Sequence, residues 1–186
     1  MDTIDAIFSR HSIPAVKPDP IPAELSERLL SAAVQAPNHF HARPWQFVIL
    51  QGSARERLGD LYAQILLEDH PELPVSALEK ERAKPMRAPL LIAAGVKPPE
   101  DTRQDAIEDI CAVAAACENL LLAAHAYGLA AMWRSGSAVH NPRVKTFLGL
   151  SPDQPLVGIL YIGYPANPAT ILPERPSFED RVTWLA

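Results

Sequence analysis

Residues 102–128, TRQDAIEDICAVAAACENLLLAAHAYG, decide the fold because they predict one long helix with apolar side chains on nearly every side. The positions that carry this pattern are Ile110, Val113, Ala114, Cys117, Leu120, Leu121 and Ala124. Gly128 is the residue type that commonly follows a helix C-terminus. A helix without a wholly polar face is buried, either in its own domain or in a subunit interface. We therefore predict that a helix over 102–127 forms the centre of the fold.

Four predicted strands flank this helix along the chain. Two precede it, at 45–50 and 89–96, and two follow it, at 129–133 and 156–162. The 89–96 stretch is apolar nearly throughout, which predicts a strand buried on both faces. Shorter helices are predicted over 2–8, 22–36, 55–68, 76–84 and 141–148. This alternation predicts one layered domain over 1–186, of the α/β or α+β class.

Composition and charge exclude several classes of function. The 186 residues carry a net charge of −5 with scattered basic residues, so no basic surface for nucleic acid is expected. The longest apolar run, 111–127, is interrupted by Glu118, Asn119 and His125 and is too short and too polar to span a bilayer. The N-terminal sequence MDTIDAIFSRHS lacks the basic-then-apolar order of a signal peptide. We expect a cytoplasmic protein that binds neither nucleic acid nor membrane.

The residues most often used for covalent or metal chemistry form no convincing site. Cys111 and Cys117 lie on opposite sides of the predicted helix, so we expect two small buried thiols and no disulfide. His39 and His41 lie in a loop without a carboxylate or thiol placed beside them, so no metal is expected. The chain lacks the GxSxG pattern of hydrolases and the glycine-rich fingerprints of dinucleotide and phosphate loops.

Three polar segments combine groups that suit a phosphate and an aromatic ring. Arg10-His11-Ser12 puts a guanidinium, an imidazole and a hydroxyl on one turn, as a phosphate site requires, although a solvated charged turn has the same composition. Residues 36–45, APNHFHARPW, place polar donors between a helix and a strand, where a well-packed connection is the alternative. Residues 128–136, GLAAMWRSG, end a buried strand in a cation, a hydroxyl and a glycine, which fits either a ligand site or a β-turn.

In this order and at these separations, the three segments resemble the FMN-dependent nitroreductase family. Two further matches support the resemblance: the sequence IGYP at 162–165, and Arg175 in the proline-rich tail. The similarity covers nearly the whole chain and is greatest with the short members that carry Trp-Arg-Ser after the central helix. It implies an α+β, three-layer sandwich with a central mixed sheet and a long buried central helix. It also implies a homodimer, with that helix at the interface and a C-terminal arm over the partner.

The resemblance implies one FMN at each subunit interface, held first by its phosphate. Arg10 and Ser12 would bind the phosphate or its polar edge, with His11 beside them. Arg175 would add a second cation at the same end of the cofactor.

The remaining FMN contacts implied by the resemblance come from the other two segments. Gln35 and His39 would be contributed by the partner subunit. Trp133, Arg134 and Ser135 would line the isoalloxazine ring, with backbone N–H groups near Ser135 facing N5. Arg134 is the candidate cation that stabilises the anionic reduced flavin, by the same electrostatics as an oxyanion hole.

The chemistry implied by the resemblance is carried by the cofactor. NADH or NADPH would transfer a hydride to N5 and leave, and a nitroaromatic, quinone or similar electron-poor acceptor would then take its place in a ping-pong sequence. Two alternatives stay open. One is a flavin enzyme of different specialisation, such as a dehalogenase, a dehydrogenase or an enzyme that consumes FMN; the other is a non-catalytic flavin carrier.

Two positions depart from the family pattern. Many members carry a basic residue two places after the serine, to polarise the flavin pyrimidine, whereas this chain has Pro14. Lys17 is the nearest substitute for that cation in the sequence. Relatives often have glutamine before Pro-Trp, where this chain has Arg43. Both departures bear on the redox tuning of the flavin and on the choice of substrate.

Overall fold

The computed structural model describes residues 1–100, 103, 105–167 and 174–185. Its helices are α1 (Thr3–Ser9), α2 (Ala23–Ala33), α3 (Ser53–Asp69), α4 (Val75–Arg82), α5 (Ala106–Ala126), α6 (Ser137–His140) and α7 (Pro142–Phe147). Its strands are β1 (Trp45–Leu50), β2 (Leu90–Val96), β3 (Ala130–Arg134) and β4 (Leu156–Gly163). Short 3₁₀ helices occur at His39–His41, Lys84–Arg87 and Glu179–Arg181. The predicted strands and helices are confirmed, and α6 is an addition because four residues are too few to show a helical period.

The ends of the long helix α5 follow from two local interactions. The Asp105 carboxylate accepts hydrogen bonds from the backbone N–H groups of Ile107 and Glu108, at 2.8 and 3.3 Å, and so caps the first turn. The helix therefore begins after Asp105, and the predicted start at residue 102 lies outside the described residues. At the other end Gly128 adopts a positive φ of 75°, as predicted for the residue after a helix.

The four strands form one sheet in the order β1-β2-β4-β3, and every pair among the described residues is antiparallel. The prediction of a mixed sheet is therefore wrong, because these strands form no parallel pair. β2 and β3 do run in the same direction, because the single helix α5 carries the chain back across the sheet between them. β4 lies between β2 and β3 and runs against both, so no two neighbouring strands are parallel.

Side chains of β2 alternate between two cores, one on each face of the sheet. Leu90 and Ile92 pack with buried residues of α2 and α5. Leu91 and Ala93 pack on the other face, with buried residues of α3, α6 and α7. The whole of β2 is buried, which confirms the prediction of a strand covered on both faces. Helices on both sides of an antiparallel sheet make the predicted three-layer α+β sandwich.

The two faces of α5 differ. Its inner face is buried against the sheet and includes Val113, Cys117 and Leu120. Its outer face leaves Ile107 and Cys111 exposed, so the prediction that both thiols are buried is wrong for Cys111. Burial raises the pKa of the Cys117 thiol to about 12. Across the described residues no helix combines the length and apolar character needed to cross a membrane.

The contact between α3 and α4 depends on the absence of a side chain at Gly59. A Cβ at this position would lie 2.2 Å from the carbonyl oxygen of Arg82. Replacing glycine by alanine inside a helix normally stabilises it by about 1 kcal/mol. For Gly59→Ala we expect the opposite sign, a loss of roughly 1–3 kcal/mol in the free energy of unfolding, because the two helices must separate.

Urea denaturation of the Gly59→Ala protein measures this loss. Glu56→Ala, at an exposed position of the same helix, is the control and should change the free energy of unfolding by less than about 0.5 kcal/mol. A stabilised Gly59→Ala protein would show that α3 and α4 are not in close contact.

Candidate functional site

The segment Arg10-His11-Ser12 lies beside β3, the edge strand of the sheet. The backbone N–H of Ile13 donates to the carbonyl oxygen of Ala131 in β3, at 3.2 Å. The chain then continues along the end of β4, where the backbone N–H of Lys17 donates to the carbonyl of Tyr164 at 2.8 Å. The polar tripeptide is thus fixed to the sheet edge by the residues that follow it.

The structure brings Arg10 and Arg175 together, although 165 residues separate them in the chain. Nη2 of Arg175 donates to the carbonyl oxygen of Arg10 at 3.1 Å. The Arg10 side chain is held from the other side, because its Nε donates to Oε1 of Glu118 in α5 at 3.0 Å. Among the described residues, neither Nη atom of Arg10 has a hydrogen-bond partner. Two guanidinium groups, each with donors unused among the described residues, have the chemistry that suits an anion.

His11 and Ser12 complete the segment in different ways. His11 Nδ1 lies 3.1 Å from the carbonyl oxygen of Ser9, so this nitrogen carries the proton. Its Nε2 is buried and has no hydrogen-bond partner in the described part of the chain. Ser12, two residues after Arg10, is exposed. With the proton on Nδ1, the free Nε2 is an acceptor, so within the tripeptide the donors for an anion are those of Arg10 and Ser12.

His125 anchors the end of α1 to α5. The Ser9 hydroxyl donates to the carbonyl oxygen of Asp5 at 2.5 Å, so its only proton is used there. His125 Nε2, 2.8 Å from the same hydroxyl oxygen, must therefore be the donor of the second bond. Burial lowers the pKa of His125, and the nearby His11 and Arg10 lower it further.

A second group of cations surrounds a cavity of about 150 Å³ at the end of β3. Arg134, Lys84 and Arg87 line it, and Glu81 is the carboxylate among its lining residues. Glu81 is paired with Lys84, with 2.5 Å between Nζ and Oε2. Three cations against one carboxylate make the cavity electropositive, which suits a ligand that carries or gains negative charge.

Aromatic and small residues shape the rest of this cavity. The Arg134 guanidinium lies 5.1 Å from the centre of the Tyr161 ring, and its Nε is buried without a hydrogen-bond partner among the described residues. Burial raises the pKa of Tyr161, and Arg134 opposes that rise. Gly136 and Ser137, just after β3, also line the cavity and add no bulky side chains. An unpaired buried donor such as Arg134 Nε is costly unless a ligand or solvent satisfies it.

Trp133 and Arg134 project from opposite faces of the sheet, as successive residues of a strand must. Trp133 packs on the α2–α5 side, where its Nε1 donates to the carbonyl oxygen of Val157 at 3.3 Å. Arg134 faces the cavity on the α3 side. The two side chains therefore cannot approach one ligand from the same face. Ser135 follows the strand and is exposed.

Gln35 and His39 make no hydrogen bond or ion pair with Arg10 among the described residues. His39 lies next to Glu108 of α5, with 3.9 Å between Nε2 and Oε2. Glu108 precedes Glu118 by ten residues, which is roughly 15 Å along a helix. Gln35, after α2, is exposed, and its Nε2 donates back to the carbonyl of Ser31 at 3.2 Å. The structure therefore keeps His39 apart from the Arg10 cluster of the same chain, and it shows no hydrogen bond between Gln35 and that cluster among the described residues.

The loop around His39 is held in an unusual backbone conformation. Phe40, His41 and Arg43 have positive φ angles of 49°, 55° and 48°. The side chain of Asn38 stabilises this conformation by accepting from the backbone N–H of Arg43 at 2.9 Å. A positive φ is energetically unfavourable for residues other than glycine, and residues held in this way cluster at functional sites.

No group of three or more histidine, cysteine, aspartate or glutamate side chains suited to a metal ion occurs among the described residues. The two electropositive groups, around Arg10 and around Arg134, are therefore the candidate sites.

The family model for the nitroreductase family matches residues 7–164. The chain belongs to the nitroreductase family.

Individual nitroreductases agree with this assignment over the full length of the chain. The Escherichia coli K12 protein YdjA, which carries the name of an NAD(P)H nitroreductase, is 29% identical over 185 residues, covering 100% of both chains. A nitroreductase-like family protein from Bacillus cereus has 27% identity and a TM-score of 0.81, covering 100% of this chain and 96% of that one. The FMN-dependent nitroreductase NfnB from Mycobacterium smegmatis, solved in complex with NADPH, shares the fold with a TM-score of 0.77 and 16% identity, covering 98% and 97% of the two chains.

Sequence reasoning missed several residues that belong to the two electropositive groups. Lys84 and Arg87 stand out in the sequence only as basic residues before a strand, and Glu118 only as a polar interruption of an apolar helix. The signal that could have found the first two is their place just before the central strand β2. Pro14, which replaces the basic residue of many relatives, and Lys17, its nearest substitute in the sequence, are both exposed.

The lowered pKa of His125 predicts how acid affects stability. The unfolded chain takes up a proton at His125 at a higher pH than the folded chain, because the folded pKa lies below the usual value near 6.5. The free energy of unfolding should therefore fall as the pH drops from about 6.5 through the folded pKa. His125→Gln, which cannot titrate, should lose this part of the pH dependence.

Urea titrations of the original and His125→Gln proteins between neutral pH and pH about 5 give this comparison. His140→Gln, at an exposed position of α6, is the matched control and should keep the original profile. Parallel profiles for the original and His125→Gln proteins would contradict the prediction.

Proposed function

We propose that the protein is an FMN-dependent oxidoreductase that uses NADH or NADPH to reduce nitroaromatics, quinones or similar electron-poor acceptors. The observation that carries the proposal is the pair of electropositive groups along one edge strand of a nitroreductase-family chain, one around Arg10 and one around Arg134. FMN has a phosphate at one end and a ring that becomes anionic on reduction at the other. NfnB, which shares the fold, is FMN-dependent and was solved with NADPH.

The phosphate end of FMN fits the residues around Arg10. The two Nη atoms of Arg10, together with Ser12 and Arg175, offer donors for charge-assisted hydrogen bonds to a dianion. His11 is held by its Nδ1–H against the carbonyl oxygen of Ser9, so it shapes the turn between Arg10 and Ser12. Glu118 occupies the Nε side of Arg10 and leaves the terminal nitrogens for the phosphate.

The ring end fits the cavity around Arg134. FMN, when bound, accepts two electrons from the nicotinamide and passes them to the acceptor. Arg134 and Lys84 supply the positive charge that favours the reduced ring. They take over the role of the basic residue that many relatives carry where this chain has Pro14. Trp133 supports the strand from the opposite face, and the backbone N–H of the exposed residue Ser135 would face N5.

We further propose that the active form is a cytoplasmic homodimer. Several large apolar side chains are exposed in the described single chain, which is typical of an interface; they include Phe8, Ile107, Phe178, Trp184 and Leu185. The last three lie in the segment expected to cover the partner. A dimer would also let Gln35 and His39 of one chain complete the site of the other. Because both substrates would use one cleft in turn, the kinetics would be ping-pong.

The basic test is whether the purified protein is yellow and redox-active. Bound FMN should be reduced by NADH or NADPH without oxygen, seen as loss of the visible flavin absorption, and reoxidised by a nitroaromatic or a quinone. Bound flavin that neither nucleotide reduces would identify a carrier instead. A colourless protein that cannot be reconstituted with FMN would overturn the proposed function.

Arg10→Ala should weaken FMN binding by roughly 10–100-fold, because it removes hydrogen bonds between charged groups. Riboflavin, which lacks the phosphate, should bind both proteins equally. Flavin fluorescence titration measures both affinities, and Arg57→Ala at an exposed position of α3 is the control. Equal loss for FMN and riboflavin would place Arg10 away from the phosphate.

Arg134→Gln should lower the midpoint potential of the bound flavin, because the reduced anion loses a neighbouring cation. A loss of about 1.4 kcal/mol corresponds to roughly 30 mV for a two-electron couple. Anaerobic dye-coupled titration measures this potential. Lys80→Gln, which removes an exposed cation of α4, should leave it unchanged; an unchanged potential in Arg134→Gln as well would exclude Arg134 from the ring site.

A further inference from the structure

The Arg10 guanidinium is bound by α5 through one edge only. A guanidinium has five N–H donors, one on Nε and two on each Nη. Glu118 accepts from Nε at 3.0 Å, and among the described residues the four Nη donors have no partner. The Arg10 side chain is 20% exposed and that of Glu118 42%, so the contact lies at the margin of the core. Because Glu118 binds the Nε edge of Arg10, the edge with the two Nη atoms is left for another partner.

Residue His125 supports the same segment from the same face of α5. It follows Glu118 by seven residues, about two helical turns, so both side chains project in nearly the same direction. His125 donates to the Ser9 hydroxyl at 2.8 Å, and Ser9 directly precedes Arg10. The Nε2–H that makes this bond is present whether or not the imidazole is protonated. The side chains of Ser9 and Arg10 are therefore both held by one helix, α5.

We propose that Glu118 is a positioning residue for the cofactor phosphate: it holds the Arg10 guanidinium so that its two Nη atoms face the phosphate before FMN arrives. This inference rests on the proposed function. Arginine has a long side chain with many rotamers, and a ligand that must order it binds more weakly. Glu118 removes that cost in advance. Its own negative charge opposes the phosphate, so its benefit comes from orientation and not from charge.

This division between orientation and charge makes two substitutions informative. Glu118→Gln keeps an oxygen that accepts from Nε and loses the negative charge. Glu118→Ala loses both. If orientation matters, Glu118→Ala should weaken FMN binding by about tenfold, the scale of one hydrogen bond to a charged group. Glu118→Gln should bind FMN within about twofold of the original protein, since the acceptor is retained.

The test compares FMN with riboflavin on the full chain freed of bound flavin. Riboflavin lacks the phosphate, so the ratio of the two dissociation constants isolates the phosphate contribution from any general loosening of the fold. Glu118→Ala should lower the preference for FMN and leave riboflavin affinity unchanged. In the Arg10→Ala background, Glu118→Ala should have no further effect, because the residue that it orients is gone. Glu68→Ala, which breaks a somewhat more exposed Arg–Glu pair between α3 and α7, is the control.

Different results overturn different parts of the proposal. An unchanged FMN preference in Glu118→Ala would exclude positioning by Glu118. Tighter FMN binding in both Glu118 variants would show that the carboxylate acts only as an opposing charge. If the original protein binds riboflavin and FMN equally, the phosphate site itself is misplaced. If it binds neither flavin, the proposed function fails and this inference fails with it.

Discussion

The packing of α5 against the sheet is the interaction on which the rest of the structure depends. Its buried face consists mainly of small and apolar side chains, which let the helix approach the strands closely. The same helix turns Glu118 and His125 toward the end of α1. Because the position of a helix is set by its core contacts, the depth and rotation of α5 also fix where the Arg10 guanidinium is held. The packing of α5 in the core therefore also sets the geometry of the proposed anion site.

The edge strand β3 explains why two of the three polar segments, Arg10-His11-Ser12 and 128–136, lie close together. An edge strand leaves backbone groups unpaired, and proteins cover such edges with loops or charged residues. In this chain the residues after α1 cover β3, through the bond from Ile13 to Ala131. That cover places Arg10 on one side of the strand, while Arg134 projects from its end toward the other face. One edge strand thus lies between two electropositive groups.

Periodicity in the sequence predicted the strands, most helices and the central place of α5, because these depend on local patterns of apolar residues. The antiparallel sheet was not predictable in this way, since the insertion of β4 between β2 and β3 is a long-range pairing. The cavity was missed for the same reason: Lys84 and Arg134 are fifty residues apart and meet only through that strand order. Cys111 was misjudged because a helix apolar on all sides does not reveal which side faces the sheet. The residues implied by resemblance to relatives could be named from sequence, but not the face from which each approaches a ligand.

Charge adds a further constraint on how an anionic cofactor could be held. The chain has a net charge of −5, so its overall field does not attract anions. Affinity must come from local groups, and arginine suits this role because it stays charged throughout the physiological pH range. Each electropositive group also contains one carboxylate, Glu118 in the first and Glu81 in the second, and each carboxylate contacts a cation of its own group. A carboxylate in an anion site lowers the attraction but fixes the direction of the donors. The arrangement favours orientation over total charge, which suits a cofactor that must be held in one pose while substrates exchange.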